Sequence, residues 1–191
     1  MRWNERERQW LIELLRERSY ERKRVTLASG RESDFFIDVK QTSLTAEGHA
    51  LIASLMFDAI EQLFPECEAV AGVELGGCPL ASAVSLLSFE RGRPLPALYV
   101  RKEVKDHGSK KLVENDRSLR PDLPVVVLED VVTTGGSTLQ SVEKLRSVGA
   151  QVLGVIAVVD RQEGGADNLR ATGLRFASLT ARQDFEVALA P

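Results

Sequence analysis

Four short runs made almost wholly of apolar residues punctuate this chain: AVAGV at 69–73, ALYV at 97–100, VVVL at 125–128 and QVLGVIAVVD at 151–160. They are rich in β-branched residues and lack the polar alternation of a strand with one wet face, so they read as strands buried on both sides. Helical patterns fill the gaps. From 46 to 64, Leu51, Ile52, Leu55, Met56, Ala59, Ile60 and Leu63 recur at helical spacing. A second helix opens near Pro79, where a missing N–H costs nothing, and a third follows the 125–128 run and stops at Gly149. LRFASLT at 174–180 is a candidate last strand. Such alternation predicts an α/β fold: a mainly parallel sheet with helices on both faces. Ligands of such sheets bind at the carboxyl ends of the strands. Three segments are therefore expected together at one edge: ELGG (74–77), the residues after Val100, and EDVVTTGGST (129–138).

Ahead of this body, residues 5–18 read as a helix with Trp10, Leu11, Leu14 and Leu15 on one face. RVTLASGRESDFFIDVKQ then reads as two strands, about Val25–Leu27 and Phe35–Val39, around a Ser-Gly turn. No repeat, low-complexity tract or linker divides the chain. One domain over 1–191 is expected, with a helix-and-hairpin hood over about 1–42 and a core over about 43–191.

The net charge is −3, which argues against a chain built to coat nucleic acid or an anionic membrane. Any anion must be met locally, and 101–111 is the place: Arg101, Lys102, Lys105, Lys110 and Lys111 crowd there with His107, one of two histidines. Taken alone, such a run is ordinarily a solvated loop. Two cysteines make neither a disulfide framework nor a zinc set. The polar start MRWNERERQW carries no apolar leader core, and no apolar run approaches the roughly 20 residues that span a bilayer. A soluble, cytoplasmic protein is expected.

The segment VVVLEDVVTTGGST carries the most chemistry. A buried strand fixes its start, Glu129 and Asp130 stand at the strand end, and Thr133 to Thr138 form a hydroxyl- and glycine-rich turn opening a helix. Free N–H groups and the positive dipole end of that helix favour a phosphate, which glycines allow close. Carboxylates do not bind phosphate. They accept hydrogen bonds from sugar hydroxyls or stabilise positive charge on a sugar ring, so cradle and acids together suggest a ribose 5-phosphate. A plain strand-to-helix turn is also Gly/Thr-rich, and the acid pair is what weighs against that reading. Neither the Walker A nor the GxGxxG spacing is present.

The segment resembles the phosphoribosyl pyrophosphate (PRPP) motif of the type I phosphoribosyltransferases. RKEVKDHG resembles the catalytic loop of the orotate phosphoribosyltransferase family, LASGRESDFFID its N-terminal hairpin, and VDRQEGG the segment after the next strand. The resemblance implies that family's fold, with the hairpin as a small hood. It implies that Glu129, Asp130, Val131, Val132, Thr133, Thr134, Gly135, Gly136 and Ser137 bind the ribose 5-phosphate of PRPP, the acids reading the 2′ and 3′ hydroxyls. Arg101, Lys102, Lys105 and His107 would surround the pyrophosphate, with Lys102, Lys105, His107 and Asp130 as catalytic residues. Thr133 and Arg161 would hold orotate, a guanidinium matching its carboxylate, with Phe35 or Phe36 against the pyrimidine; adjacent strand residues face opposite ways, so only one can serve. Arg161 could instead pair with Glu163. Mg²⁺ would be held mainly by substrate phosphates rather than a protein cage. A homodimer is implied, loop 101–111 reaching across the interface with Lys102 acting in trans. Two departures stand out: Ala28 replaces a hairpin Lys of some members, and Cys78 replaces an acid in the ELGGCP turn. Lys110 and Lys111 exceed the pattern. The rival readings are transfer to another base, or a PRPP-sensing regulator that binds nucleic acid.

Overall fold

The computed structural model describes residues 4–22, 25–26, 32–33, 35–102 and 112–186. Ala28, Lys105, His107, Lys110 and Lys111 lie outside the described residues. Helix α1 (Glu5–Arg18) starts at Asn4, whose side chain accepts the Glu7 N–H. It buries Leu11, Ile12, Leu14 and Leu15 and leaves Trp10 47% exposed, which corrects the face expected from sequence. At 100° per residue, Trp10 and Ile12 flank the Leu11 stripe symmetrically, and the core lies on the Ile12 side.

The hairpin has four short strands. β1 (Tyr20–Glu21) pairs antiparallel with β4 (Phe36–Ile37), and β2 (Val25–Thr26) pairs with β3 (Glu32–Ser33). The second strand ends at Ile37 rather than Val39, because the Asp38 carboxylate accepts the Lys40 N–H at 3.2 Å and turns the chain into α2 (Lys40–Ser43). The core then runs α3 (Ala46–Leu63), β5 (Ala69–Val73), α4 (Gly77–Glu90), β6 (Ala97–Val100), β7 (Val113–Glu114), β8 (Leu123–Val132), α5 (Gly136–Ser147), β9 (Ala150–Asp160), α6 (Gly165–Ala171), β10 (Arg175–Ala181) and α7 (Gln183–Glu186).

The six core strands form one sheet in the order β10-β9-β8-β5-β6-β7, parallel except for the edge strand β7. Both faces are dry, as the apolar runs require. On β8, Val126 and Leu128 join the cluster beneath α1, α3 and α4, while Val125 and Val127 join the one beneath α5 and α6. Each such side chain contributes roughly 1.5–3 kcal/mol by leaving water. Gly72 lets α4 lie directly on β5: a Cβ there would stand 2.2 Å from the Gly77 carbonyl oxygen.

Chain order reverses between β5 and β8, since β6 and β7 lie to one side and β9 and β10 to the other. That reversal opens a crevice at the carboxyl ends of the strands. The ELGG turn leaves β5 and the Gly/Thr-rich loop leaves β8, so both line it. Among the described residues no helix is long and apolar enough to cross a membrane.

Candidate active site

The two adjacent acids at the end of β8 have opposite surroundings. Glu129 follows Val125 and Val127 onto the α5 face, is 5% exposed, and accepts a hydrogen bond from Thr138 Oγ1 at 2.9 Å. Burial, then the neighbouring Asp130 charge, pushes its carboxyl up to about 8, with the Thr138 bond and the Lys102 charge opposing. Asp130 points the other way and is half-buried. Its Oδ1 accepts the Val131 N–H at 2.8 Å, and its Oδ2 lies 4.0 Å from Lys40 Nζ. Lys40 is anchored by Asp38 Oδ1 at 2.6 Å, and that contact raises the ammonium pKa. The ELGG turn closes on the same carboxylate: a Cβ at Gly76 would stand 2.0 Å from Asp130 Oδ2.

Beyond the acids, Gly135 takes φ +79°, a conformation glycine adopts without strain, and delivers the chain into α5. Gly136 and Ser137 are exposed at that helix start, where unpaired N–H groups gather. The loop is braced from behind. The Gly165 N–H donates to the Thr133 carbonyl oxygen at 2.9 Å, and Asn168 Nδ2 donates to that of Thr134 at 2.9 Å. Here the glycine is needed, because a Cβ at Gly165 would lie 2.4 Å from the Thr133 carbonyl oxygen.

On the other side of the crevice, β6 ends at Val100 and is followed by Arg101 and Lys102. The Arg101 guanidinium is engaged by Glu114, its Nε donating to Oε1 at 2.6 Å. Lys102 is exposed, its N–H donates to Glu74 Oε2 at 3.0 Å, and its charge reaches Glu129 of the same chain. Lys144, from α5, donates to the carbonyl oxygens of Arg101 at 2.8 Å and Lys102 at 2.6 Å.

Phe35 and Phe36 come from the N-terminal hairpin, at the start of β4. Phe35 is buried with Tyr20 and Phe185, ring centroids 5.1 and 5.7 Å away, so it belongs to the core. Phe36 is half-buried and faces the other way. Arg161 is buried as well. Its Nη2 donates to the Phe35 carbonyl oxygen at 2.9 Å and pairs with Glu163 Oε1 at 2.9 Å, while the guanidinium lies 5.5 Å from the Phe35 ring centroid.

Residues 40–172 match the phosphoribosyl transferase domain family. A relative from Sorangium cellulosum, orotate phosphoribosyltransferase, is 72% identical over 179 residues, covering 94% of this chain and 93% of the relative. The chain belongs to the orotate phosphoribosyltransferase family. Two solved structures of the Mycobacterium tuberculosis orotate phosphoribosyltransferase agree, each covering 95% of this chain and 99% of the other. One, in complex with Fe(III) dicitrate, is 38% identical with a TM-score of 0.80. The other, in complex with PRPP, is 36% identical with a TM-score of 0.77.

In this orotate phosphoribosyltransferase fold Glu129 to Ser137, Arg101 with Lys102, and Arg161 stand at or follow the carboxyl ends of β8, β6 and β9, while Phe36 lies in the hairpin strand β4. Phe35 stays in the core, and Arg101 and Arg161 are held by internal carboxylates. Sequence reasoning placed Glu74 at the ligand edge within ELGG but gave it no role, and it missed Lys40, Lys144 and Asn168. Glu74 and Lys40 had a legible signal, being charged residues next to the crevice-forming strand or hairpin ends. Lys144 and Asn168 lie inside amphipathic helices, where a polar residue normally marks only a wet face.

Proposed function

We infer that the chain transfers the 5-phosphoribosyl group from PRPP to N1 of orotate, giving orotidine 5′-monophosphate and pyrophosphate, a step of pyrimidine nucleotide synthesis. The observation that carries this reading is the buried Glu129 and open Asp130 on one strand end, followed at once by a glycine-rich helix start. The cradle from Thr133 to Ser137 takes the 5′-phosphate, and Asp130, the open acid, takes the ribose hydroxyls, with Glu129 held behind it by Thr138. Orotate N1 forms its bond to ribose C1 as the C1–O bond to pyrophosphate breaks; the electron pair leaves with pyrophosphate, and the N1 proton passes to the departing pyrophosphate or to water. Positive charge grows on the ring near Asp130, and negative charge grows on the departing group near Lys102, Lys105 and His107. Fixed charges of the right sign at both ends lower the barrier. Phe36 packs on the pyrimidine, and Thr133 and Arg161 orient its polar edge.

Among the described residues no group of three His, Cys, Asp or Glu could hold a metal. One open carboxylate beside an anion cradle suits Mg²⁺ bound chiefly through PRPP oxygens. When bound, the ion neutralises charge on pyrophosphate. We further propose a cytoplasmic homodimer in which the loop beyond Lys102 serves the neighbouring site while Lys102 itself, whose charge reaches Glu129 of its own chain, serves its own, and one domain with a hood over about 1–42 on a core over about 43–191. In support, the family match begins at residue 40, where the hairpin ends.

The test is turnover with PRPP and Mg²⁺, base by base. Orotate is expected to react and other bases to fail; no orotate-dependent turnover, or operator binding without catalysis, would overturn the assignment. Lys105→Ala and His107→Ala should each lose about 10²–10³ in rate, as when one preorganised donor is removed.

A further inference from the structure

The chain leaves β6 at a point where three elements converge on two peptide groups. Lys144 Nζ bridges the consecutive carbonyl oxygens of Arg101 and Lys102 at 2.8 and 2.6 Å. From the other side, the Lys102 N–H is taken by Glu74 Oε2 at 3.0 Å, and the Glu74 N–H donates to the Val100 carbonyl oxygen at 3.0 Å. Across the edge of the sheet, the Arg101 N–H donates to the Leu112 carbonyl oxygen at 3.0 Å and its guanidinium pairs with Glu114. Two of these holds come from elements that meet substrate. Glu74 belongs to the turn that closes on Asp130, and Lys144 lies on α5, the helix whose first residues form the phosphate cradle.

We propose that Lys144 is a positioning residue for phosphoribosyl transfer. Its ammonium fixes the backbone at Arg101 and Lys102, and so sets where the Lys102 ammonium stands relative to the phosphate cradle. The inference rests on the functional reading above. A lysine in the last turn of a helix is ordinarily accounted for by the helix dipole, which any nearby cation complements. That account does not explain why one ammonium reaches two consecutive carbonyls of another element. An ammonium carries three N–H donors and can satisfy both at once, with charge-assisted bonds about twice as strong as neutral ones. The bridge ties the strand carrying Lys102 to the helix that carries the phosphate, so a shift of one displaces the other. Errors of about 1 Å at such a charge cost about 10²-fold in rate.

The experiment compares wild type, Lys144→Ala, Lys144→Arg, Lys102→Ala and the Lys102→Ala/Lys144→Ala pair. Orotate turnover by the wild type is read first, and its absence would sink the functional reading rather than this one. Given an active wild type, Lys144→Ala should lower kcat/KM for PRPP about 10- to 100-fold, leave KM for orotate within about twofold, and barely move the unfolding midpoint. Lys144→Arg should recover most of the loss, since its donors reach the same carbonyls. If Lys144 acts through Lys102, the two losses are not additive: in the Lys102→Ala background, adding Lys144→Ala should cost less than about threefold. Calorimetric titration with PRPP supplies the same cycle where turnover is too slow to read. Wild-type kinetics in Lys144→Ala, equal loss toward both substrates, or full additivity with Lys102→Ala would each overturn the proposal.

Discussion

Gly76→Ala is the sharpest probe of the crevice, because the backbone tolerates it and the site does not. Gly76 has φ −65° and ψ −32°, ordinary helical angles at the start of α4, so alanine adds no backbone strain. Its new Cβ would stand 2.0 Å from Asp130 Oδ2, 2.3 Å from Cγ and 3.0 Å from Cβ. A carbon and an oxygen rest at roughly 3.5 Å, so the carboxylate must retreat by about 1 Å or more. Little slack exists in which to hide that movement. Asp130 has a short side chain, and its Oδ1 is tied to the Val131 N–H at 2.8 Å. Rotation toward Lys40, 4.0 Å from Oδ2, is the open direction and takes the carboxylate off its present line. A 1 Å error at a substrate-positioning group costs on the order of 10²-fold. Steady-state kinetics should therefore show kcat/KM for PRPP reduced about 100-fold, with KM for orotate little changed and the unfolding midpoint within a few degrees of wild type. Wild-type kinetics for Gly76→Ala would show that Asp130 does not meet the ribose where this geometry has it.

Glu129 gives a pH prediction. Its folded pKa, about 8, exceeds the ordinary 4.5, so the folded state holds the proton more tightly and stability falls as pH rises between those values. Glu129→Gln should remove this slope and exceed wild type near pH 8 by at most about 5 kcal/mol, read from denaturant unfolding of the ligand-free protein; parallel pH profiles would refute the burial argument. The phenylalanine pair should split. Phe35→Ala should cost about 3–5 kcal/mol of stability as a core truncation. Phe36→Ala should cost less stability but raise KM for orotate about tenfold, a base–aromatic stack being worth about 1–3 kcal/mol. Equal effects of the two substitutions in unfolding and kinetics would refute the assignment of faces.

Much of this architecture is visible in the sequence because apolar runs and a glycine-rich helix start are local signals. VVVL and QVLGVIAVVD can only be strands buried on both sides, and Thr133 to Ser137 can be read without knowing what packs behind them. The hood is less legible. Tyr20–Glu21 is too short to show a period, and the turn into α2 depends on one Asp38 hydrogen bond. Trp10 and Ile12 were indistinguishable by helical angle, and only the position of the neighbouring elements separates them. Contacts made across long sequence separations were hidden altogether. Glu74 meets Lys102 across 28 positions and Lys144 meets Arg101 across 43, and no local pattern encodes either contact.

The acid pair joins these two kinds of information. Sequence places Glu129 and Asp130 side by side, and the alternation of a strand then forces them apart. The face that Val125 and Val127 occupy takes Glu129 into the contact between β8 and α5, where Thr138 from the first turn of the phosphate helix reaches it. The opposite face brings Asp130 out beside the ELGG turn and the hood lysine. One carboxyl is therefore tied to the helix that carries the phosphate, and the other stands open toward the place where a sugar ring develops charge. A register slip of one residue would exchange them, burying the open acid and exposing the one bound to α5. The long β8–β9 ladder, running from Leu123↔Ala150 to Val132↔Asp160 with its shift at Val125/Val126, prevents that slip. The chemistry of the crevice thus depends on strand register set by apolar residues that never touch substrate.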